Sequence, residues 1–282
     1  MKSLTLFAFL FVLTSNIFSQ DTPDTLLFKW IPKGSVSINV SQVAFSDWAQ
    51  GGTNSIAWIG SGKFGLDYKT STYFFKNDLK LTYGRVKLGD ESYRTSENEL
   101  YLENVYTYLV GWKVAPYISN LLRTSIAGGY NYKDTPFVKT SDFFDPAYVT
   151  QSLGFAYALK ENFTTRLGFA LQETFTNKLR MYSDDPDTKD EIEAFKLETG
   201  IESVSDLTLS VEKNLLLETK LRLFTRFDAF DVWDVRWDNT LTAQINKYFN
   251  VNLNVLLLYE KSQSPKTQLK EALLLGFTYT VF

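Results

Sequence analysis

From Gly34 to the last residue, apolar and polar side chains alternate with a period of two, and helical periodicity is hard to find. Alternate side chains of an extended chain point to opposite faces. Over 163–178, Phe163, Leu167, Phe169, Leu171 and Phe175 share one face, and Thr164, Arg166, Gly168, Ala170, Gln172 and Thr174 the other. Over 148–159, Val149, Leu153, Phe155, Tyr157 and Leu159 oppose Thr150, Ser152, Gly154, Ala156 and Ala158. Over 73–88, Tyr73, Phe75, Leu79, Leu81 and Tyr83 oppose Lys76, Asp78, Lys80 and Thr82. The pattern predicts twelve strands, near 34–45, 54–68, 73–88, 99–112, 117–131, 148–159, 163–178, 194–212, 216–230, 234–246, 251–260 and 269–282. Many exceed the five or six residues usual in soluble sheets and suit the roughly nine to eleven needed to cross a bilayer at a tilt.

The connections alternate in length. Those near 69–72, 113–116, 160–162, 213–215 and 247–250 are short, and those near 89–98, 132–147, 179–193 and 261–268 are longer. The connection over 46–53 is intermediate, and the short one near Asp231–Trp233 breaks the rule. Short turns at one end and longer loops at the other mark outer-membrane barrels. A soluble sandwich also alternates, but its apolar face does not so often carry aromatics near strand ends, where bilayer interfaces favour them. The expected fold is therefore all-β: an antiparallel transmembrane barrel of about twelve strands over 34–282, with both termini on the periplasmic side.

Both ends of the chain fit this expectation. Lys2 followed by the apolar run Leu4–Leu13 and the small Ser19 reads as a signal peptide over 1–19, for export by the Sec pathway. Residues 20–33 then form a polar tail or plug. The closing run LLLGFTYTVF carries Gly276, Tyr279, Val281 and a terminal Phe282. This resembles the strand signal through which the barrel-assembly machinery engages its clients.

Composition narrows the function. The net charge of −3 gives no basic surface for nucleic acid. The chain has no Cys, so neither disulfides nor thiolate metal sites are possible, and no His, which removes the commonest general base. No catalytic residue, cofactor or metal site is expected. The acidic run 183–193 lacks the spacing and Gly of a calcium loop and reads as a solvated loop.

The polar faces carry charge. If 213–215 joins two strands, Asp206 faces Arg222 and Glu202 faces Arg226; if the next hairpin centres on Val232, Arg226 faces Asp238 and Asp228 faces Arg236. Opposite charges then form a ladder in the lumen, with Arg226 shared by two acids. Such a ladder is either a charged constriction or bracing that leaves little bore, and the mutual neutralisation of the pairs favours bracing. Lys76, Lys80, Arg123 and Arg166 are expected as unpaired lumen charges that a solute would feel.

The segment 41–55 contains Gly51–Gly52, which allows a turn at positive φ, with Phe45 and Trp48 placed to fold onto the barrel rim. Its part Phe45–Ser55, with Ser141–Tyr148, Asp234–Trp237 and Asn246–Tyr248, resembles an uncharacterised family of Bacteroidota outer-membrane proteins, domain of unknown function 3078; Arg94–Glu99 is a looser version of a family stretch. The resemblance implies an outer-membrane barrel and no assigned activity. The expected protein is a monomer in outer-membrane lipid, either a narrow channel for small solutes or a largely closed structural barrel. The alternatives are a binding module using loops 132–147 and 179–193, and a membrane enzyme, disfavoured by the missing His.

Overall fold

A computed structural model describes residues 27–282 apart from 48, 160, 161, 186, 187, 189, 190, 262 and 263. The segment read as a signal peptide, Trp48 and part of the acidic run lie outside the described residues. The first strands are β1 (Trp30–Val43), β2 (Ser55–Lys69), β3 (Tyr73–Leu88), β4 (Arg94–Tyr108) and β5 (Ala115–Thr124). A small hairpin of β6 (Gly129–Asn131) and β7 (Val138–Ser141) follows, then β8 (Ala147–Leu159) and β9 (Phe163–Phe175). The chain ends with β10 (Phe195–Glu212), β11 (Leu215–Arg226), β12 (Trp233–Gln244), β13 (Phe249–Tyr259) and β14 (Gln268–Thr280). Every strand except β6 and β7 joins one closed antiparallel barrel in the order β1-β14-β13-β12-β11-β10-β9-β8-β5-β4-β3-β2. Closure leaves no unpaired sheet edge, which a hydrocarbon environment requires.

The distribution of side chains is the inverse of a soluble protein's. Leu153, Leu167, Phe169 and Leu273 are about 60% exposed on the outer surface (59, 59, 62 and 64%), whereas Glu103, Glu202 and Arg166 are buried inside. Aromatic side chains ring the wall near the strand ends. Trp30, Tyr68, Tyr73 and Tyr106 form a continuous chain of ring contacts across β1–β4, with centroids 4.7, 6.0 and 5.3 Å apart. At the opposite end Phe175 meets Phe195 at 5.1 Å, and Phe227 meets Phe169 and Phe230. Two aromatic girdles around an apolar band are the mark of a transmembrane barrel.

The short turns are held by local side-chain bonds. The Thr70 hydroxyl accepts the backbone N–H groups of Thr72 and Tyr73, and the Asn246 carbonyl oxygen accepts those of Tyr248 and Phe249. Thr and Asn side chains stand in for backbone partners where the chain reverses. At the other end the loops are shaped. The carboxylate of Asp145, 3% exposed, accepts the N–H groups of Asn177, Lys178 and Leu179 and so ties the β5–β8 loop to the β9–β10 loop. The Tyr182 hydroxyl donates to the Thr140 carbonyl across the same pair of loops.

Several boundaries differ from the sequence reading, among them the ends of β4, β9 and β11, which stop at Tyr108, Phe175 and Arg226, and three others bear on the lumen and its rim. β1 begins at Trp30, so residues 30–33 belong to the barrel. β4 begins at Arg94 and carries a bulge at Ser96, opposite Gly84–Arg85, so Arg94–Glu99 is strand. The strand expected over 117–131 stops at Thr124, because Asn98 captures the chain beyond it. The Asn98 Oδ1 accepts the N–H groups of Ile126 and Ala127 at 2.9 Å each, and its Nδ2 donates to the Ala127 carbonyl and the Ser141 hydroxyl. This draws the chain out of the barrel wall into the β6–β7 hairpin, which alternation alone does not reveal.

Candidate functional site: a lumen crossed by ion pairs

The turn between β10 and β11 is Lys213–Asn214, with a bulge between Ser210 and Glu212. Asp206 therefore faces Lys220, Glu202 faces Phe224 and Arg226 faces Gly200. The expected pairings Asp206–Arg222 and Glu202–Arg226 are wrong by two residues, a slip that preserves which side chains point inward. The next hairpin centres on Ala229, so Asp238 faces Lys220, and Arg236 faces Arg222. Asp228 lies beyond the end of β11, with its side chain 74% exposed and 3.5 Å from Arg226; it does not meet Arg236.

The ladder is replaced by diagonal pairs. Arg222 Nε donates to Glu202 at 2.6 Å, and its Nη2 donates to Gln172 Oε1 at 2.9 Å. Arg236 bonds Asp238 at 2.8 Å on its own strand. Arg226 reaches Glu198 at 3.2 Å and Asp228, not Glu202 and Asp238. Of the charges expected to be unpaired, Lys76 bonds Asp78 at 2.9 Å, Lys80 approaches Glu99 at 3.5 Å, and Arg166 bonds Glu103 at 2.5 Å. Arg123 alone of these four makes no ion pair within 4 Å among the described residues; its guanidinium lies over the Tyr148 ring at 5.2 Å, and it shares a small pocket with Glu260.

The carboxylates of β4 organise the interior. Glu97, Glu99 and Glu103 all point into the lumen and bond strands that are not their neighbours. Glu97 meets Lys270 of β14 at 2.8 Å, and Glu99 meets Arg236 of β12 at 2.9 Å. Glu103 holds both Lys220 of β11 and Arg166 of β9, at 2.5 Å each. β4 and β12 stand six places apart in the ring of twelve, so the Glu99–Arg236 pair spans the barrel's diameter. The Glu103 and Arg166 side chains are 5% and 8% exposed, a degree of burial charged groups tolerate only when paired and hydrogen-bonded.

These pairs divide the interior. On the β5 and β8–β11 side, Tyr117, Val204, Phe224, Ser152 and Thr174 fill the space, and the Tyr117 hydroxyl bonds Ser152 at 2.6 Å. On the other side runs a cavity of about 750 Å³, walled mainly by β1, β2 and β12–β14. Asn39, Asn250, Asn252 and Thr278 form a bonded amide and hydroxyl chain along it, through contacts of 2.6 to 2.9 Å. The cavity reaches the short-turn end at Lys213–Asn214 and Asn246–Lys247, and its loop end is bounded by Ser96–Asn98 and Lys270. The Lys270–Glu97 pair therefore lies across its loop end.

The remaining expected residues sit at the rims. Gly51 and Gly52 adopt φ of 79° and 136°, and a Cβ on Gly52 would stand 2.6 Å from the Phe45 ring. Phe45 thus folds over its own turn, where its N–H donates to Asn54 Oδ1 at 2.7 Å. Gly276 faces inward, where its lack of a side chain lets Asn39 and Asn250 close around it. Tyr279 is half-exposed outside; Val281 and Phe282 lie beyond β14, and both donate their N–H to the Gly34 carbonyl, which carries the closing seam past the strand end. Glu97, Glu99 and Glu103 were missed. Their signal was present as alternation in ELYLENVYTY, where Glu99, Tyr101, Glu103 and Val105 share a face.

The sequence pattern of a family described as a protein of unknown function (DUF3078) matches residues 40–130. This range includes the Gly51–Gly52 turn and the β4 glutamates, and excludes the segments 141–148, 234–237 and 246–248. No curated protein matches the chain. Among solved structures, an outer membrane channel from Pseudomonas putida F1 is 14% identical with a TM-score of 0.41, over 93% of this chain and 99% of that one. The translocator domain of the autotransporter NalP from Neisseria meningitidis is 8% identical with a TM-score of 0.35, over 89% of this chain and 87% of that one. A mutant porin of Rh. blastica is 8% identical with a TM-score of 0.28, over 89% and 100%. Likenesses this low carry nothing about function to this chain.

Proposed function

We propose that the protein is an outer-membrane barrel of a Gram-negative bacterium that passes small polar solutes through a narrow, off-centre lumen. The observation that carries this reading is the β4 glutamate set, which reaches across the interior and leaves one polar cavity of about 750 Å³ beside it. The apolar outer wall and its aromatic girdles support the membrane setting. The motif resemblance supports a source among the Bacteroidota, and Lys2–Ser19 supports export by the Sec pathway. The closing strand supports recognition by the barrel-assembly machinery.

A swelling assay with protein-loaded liposomes tests this. Glycerol-sized solutes are expected to enter and trisaccharides to be excluded. Failure of every solute to enter would leave a purely structural barrel. A second reading, a binding module at the loop end, draws on the Asp145 tether, which presents two loops as one shaped surface with Phe143 65% exposed on it.

A further inference from the structure

The outer wall carries a row of amides where hydrocarbon is expected. Asn77, Asn104, Asn120 and Gln151 are direct cross-strand neighbours on β3, β4, β5 and β8, and all four point outward. Asn120 is the sixth of the ten residues of β5, so the row crosses the middle of the wall. Polar groups in a bilayer core are costly unless hydrogen-bonded.

Several other outward polar groups are bonded to one another, although the small Ser203 hydroxyl of β10 has no side-chain partner among the described residues. Thr165 bonds Ser205 at 2.9 Å, and Thr219 bonds both Asn239 at 2.7 Å and the Trp237 indole at 2.8 Å. Glu173 and Glu271 lie within three residues of the loop-end termini of β9 and β14, near the headgroups. Within the row, Asn104 donates to Asn77 Oδ1 at 2.5 Å, and Asn77 donates to the Leu66 carbonyl at 2.9 Å. The side chains of Asn120 and Gln151 make no hydrogen bond among the described residues. Around them stand Ile118, Leu153 and Phe169, each more than half exposed.

We infer that this row is the contact face for a second copy of the chain in the membrane. Each amide carries both donors and an acceptor, so the row is complementary to itself. Two copies related by a two-fold axis bring donor against acceptor, as an isologous interface demands, inside a ring of apolar side chains. A lipid tail offers no such partner, and a single barrel leaves two amides unmet. A pair replaces the monomer expected from the sequence, and it does not depend on whether the lumen conducts.

The absence of native Cys makes the test direct. Asn104→Cys, Asn120→Cys and Gln151→Cys are made singly and oxidised in bacterial outer membranes, with Leu273→Cys as control. Leu273 is 64% exposed on β14, five places around the ring from β5. The expected result is a disulfide-linked species of twice the chain mass from at least one row position and none from the control. Asn120→Leu with Gln151→Leu should lower the dimer fraction of the wild-type chain in detergent at least tenfold, while the heat-resistant folded form survives. Three outcomes each overturn the inference: no linked species at any row position, equal linkage at position 273, or a linked species containing a different protein.

Discussion

Glu103 carries two cations in a buried position, Arg166 and Lys220, at 2.5 Å each. Removing one partner of a buried ion pair strands the other, at a cost of about 3–5 kcal/mol. Glu103→Ala is expected to lose that much, read from the urea unfolding midpoint in detergent. Arg226 sits differently, with its side chain 35% exposed, and one of its two acids, Asp228, is largely in solvent. Arg226→Ala should therefore change stability by no more than about 1 kcal/mol. Comparable losses at the two positions would contradict the placement of both. At this scale the sequence was legible only in part. Alternation tells which charges point inward, since parity survives a register error of two. It does not tell which charges meet, because Glu103 bonds strands three and five places away in the ring. Such pairs depend on the bore and on side-chain reach, neither of which is local to any hairpin.

The strands themselves follow from the period-two pattern, and their limits follow from particular side chains. The β2–β3 turn ends where Thr70 caps the chain, and β5 ends where Asn98 takes hold of residues 126–127. Alternation located the twelve barrel strands because each has one wet and one greasy face. It missed β6 and β7 because they are three and four residues long and lie outside the wall. Glycine also acts at this scale. Gly154 and Gly168 face each other across β8 and β9 beneath Tyr117, and a Cβ on Gly168 would stand 2.4 Å from the Leu153 carbonyl oxygen and 2.7 Å from the Tyr117 hydroxyl. Gly60 faces lipid, where the nearest atom to an added Cβ is 3.9 Å away. Gly168→Val should abolish the heat-resistant compact form on a detergent gel, and Gly60→Val should retain it. Loss of that form in both would mean that backbone freedom, not the close packing at the Gly154–Gly168 pair, is what these strands need.

The whole molecule is a wall with its solvents reversed: hydrocarbon outside, water and charge within. Paired charges cancel much of each other's field, so a lumen that passes solutes, as proposed, would select chiefly by size and by the amide and hydroxyl lining of its open side. The β4 glutamates set that size. With Glu97 and Glu99 in place, Lys270 and Arg236 are held across the interior. Without them these cations fall back toward their own strands and the off-centre cavity merges with the space around it. Single-channel conductance in planar bilayers, comparing the wild-type chain with Glu97→Ala/Glu99→Ala, tests this most directly. Small, resolvable steps are predicted for the wild type and steps several-fold larger for the double variant, whereas equal conductance in the two would contradict a lumen partitioned by β4.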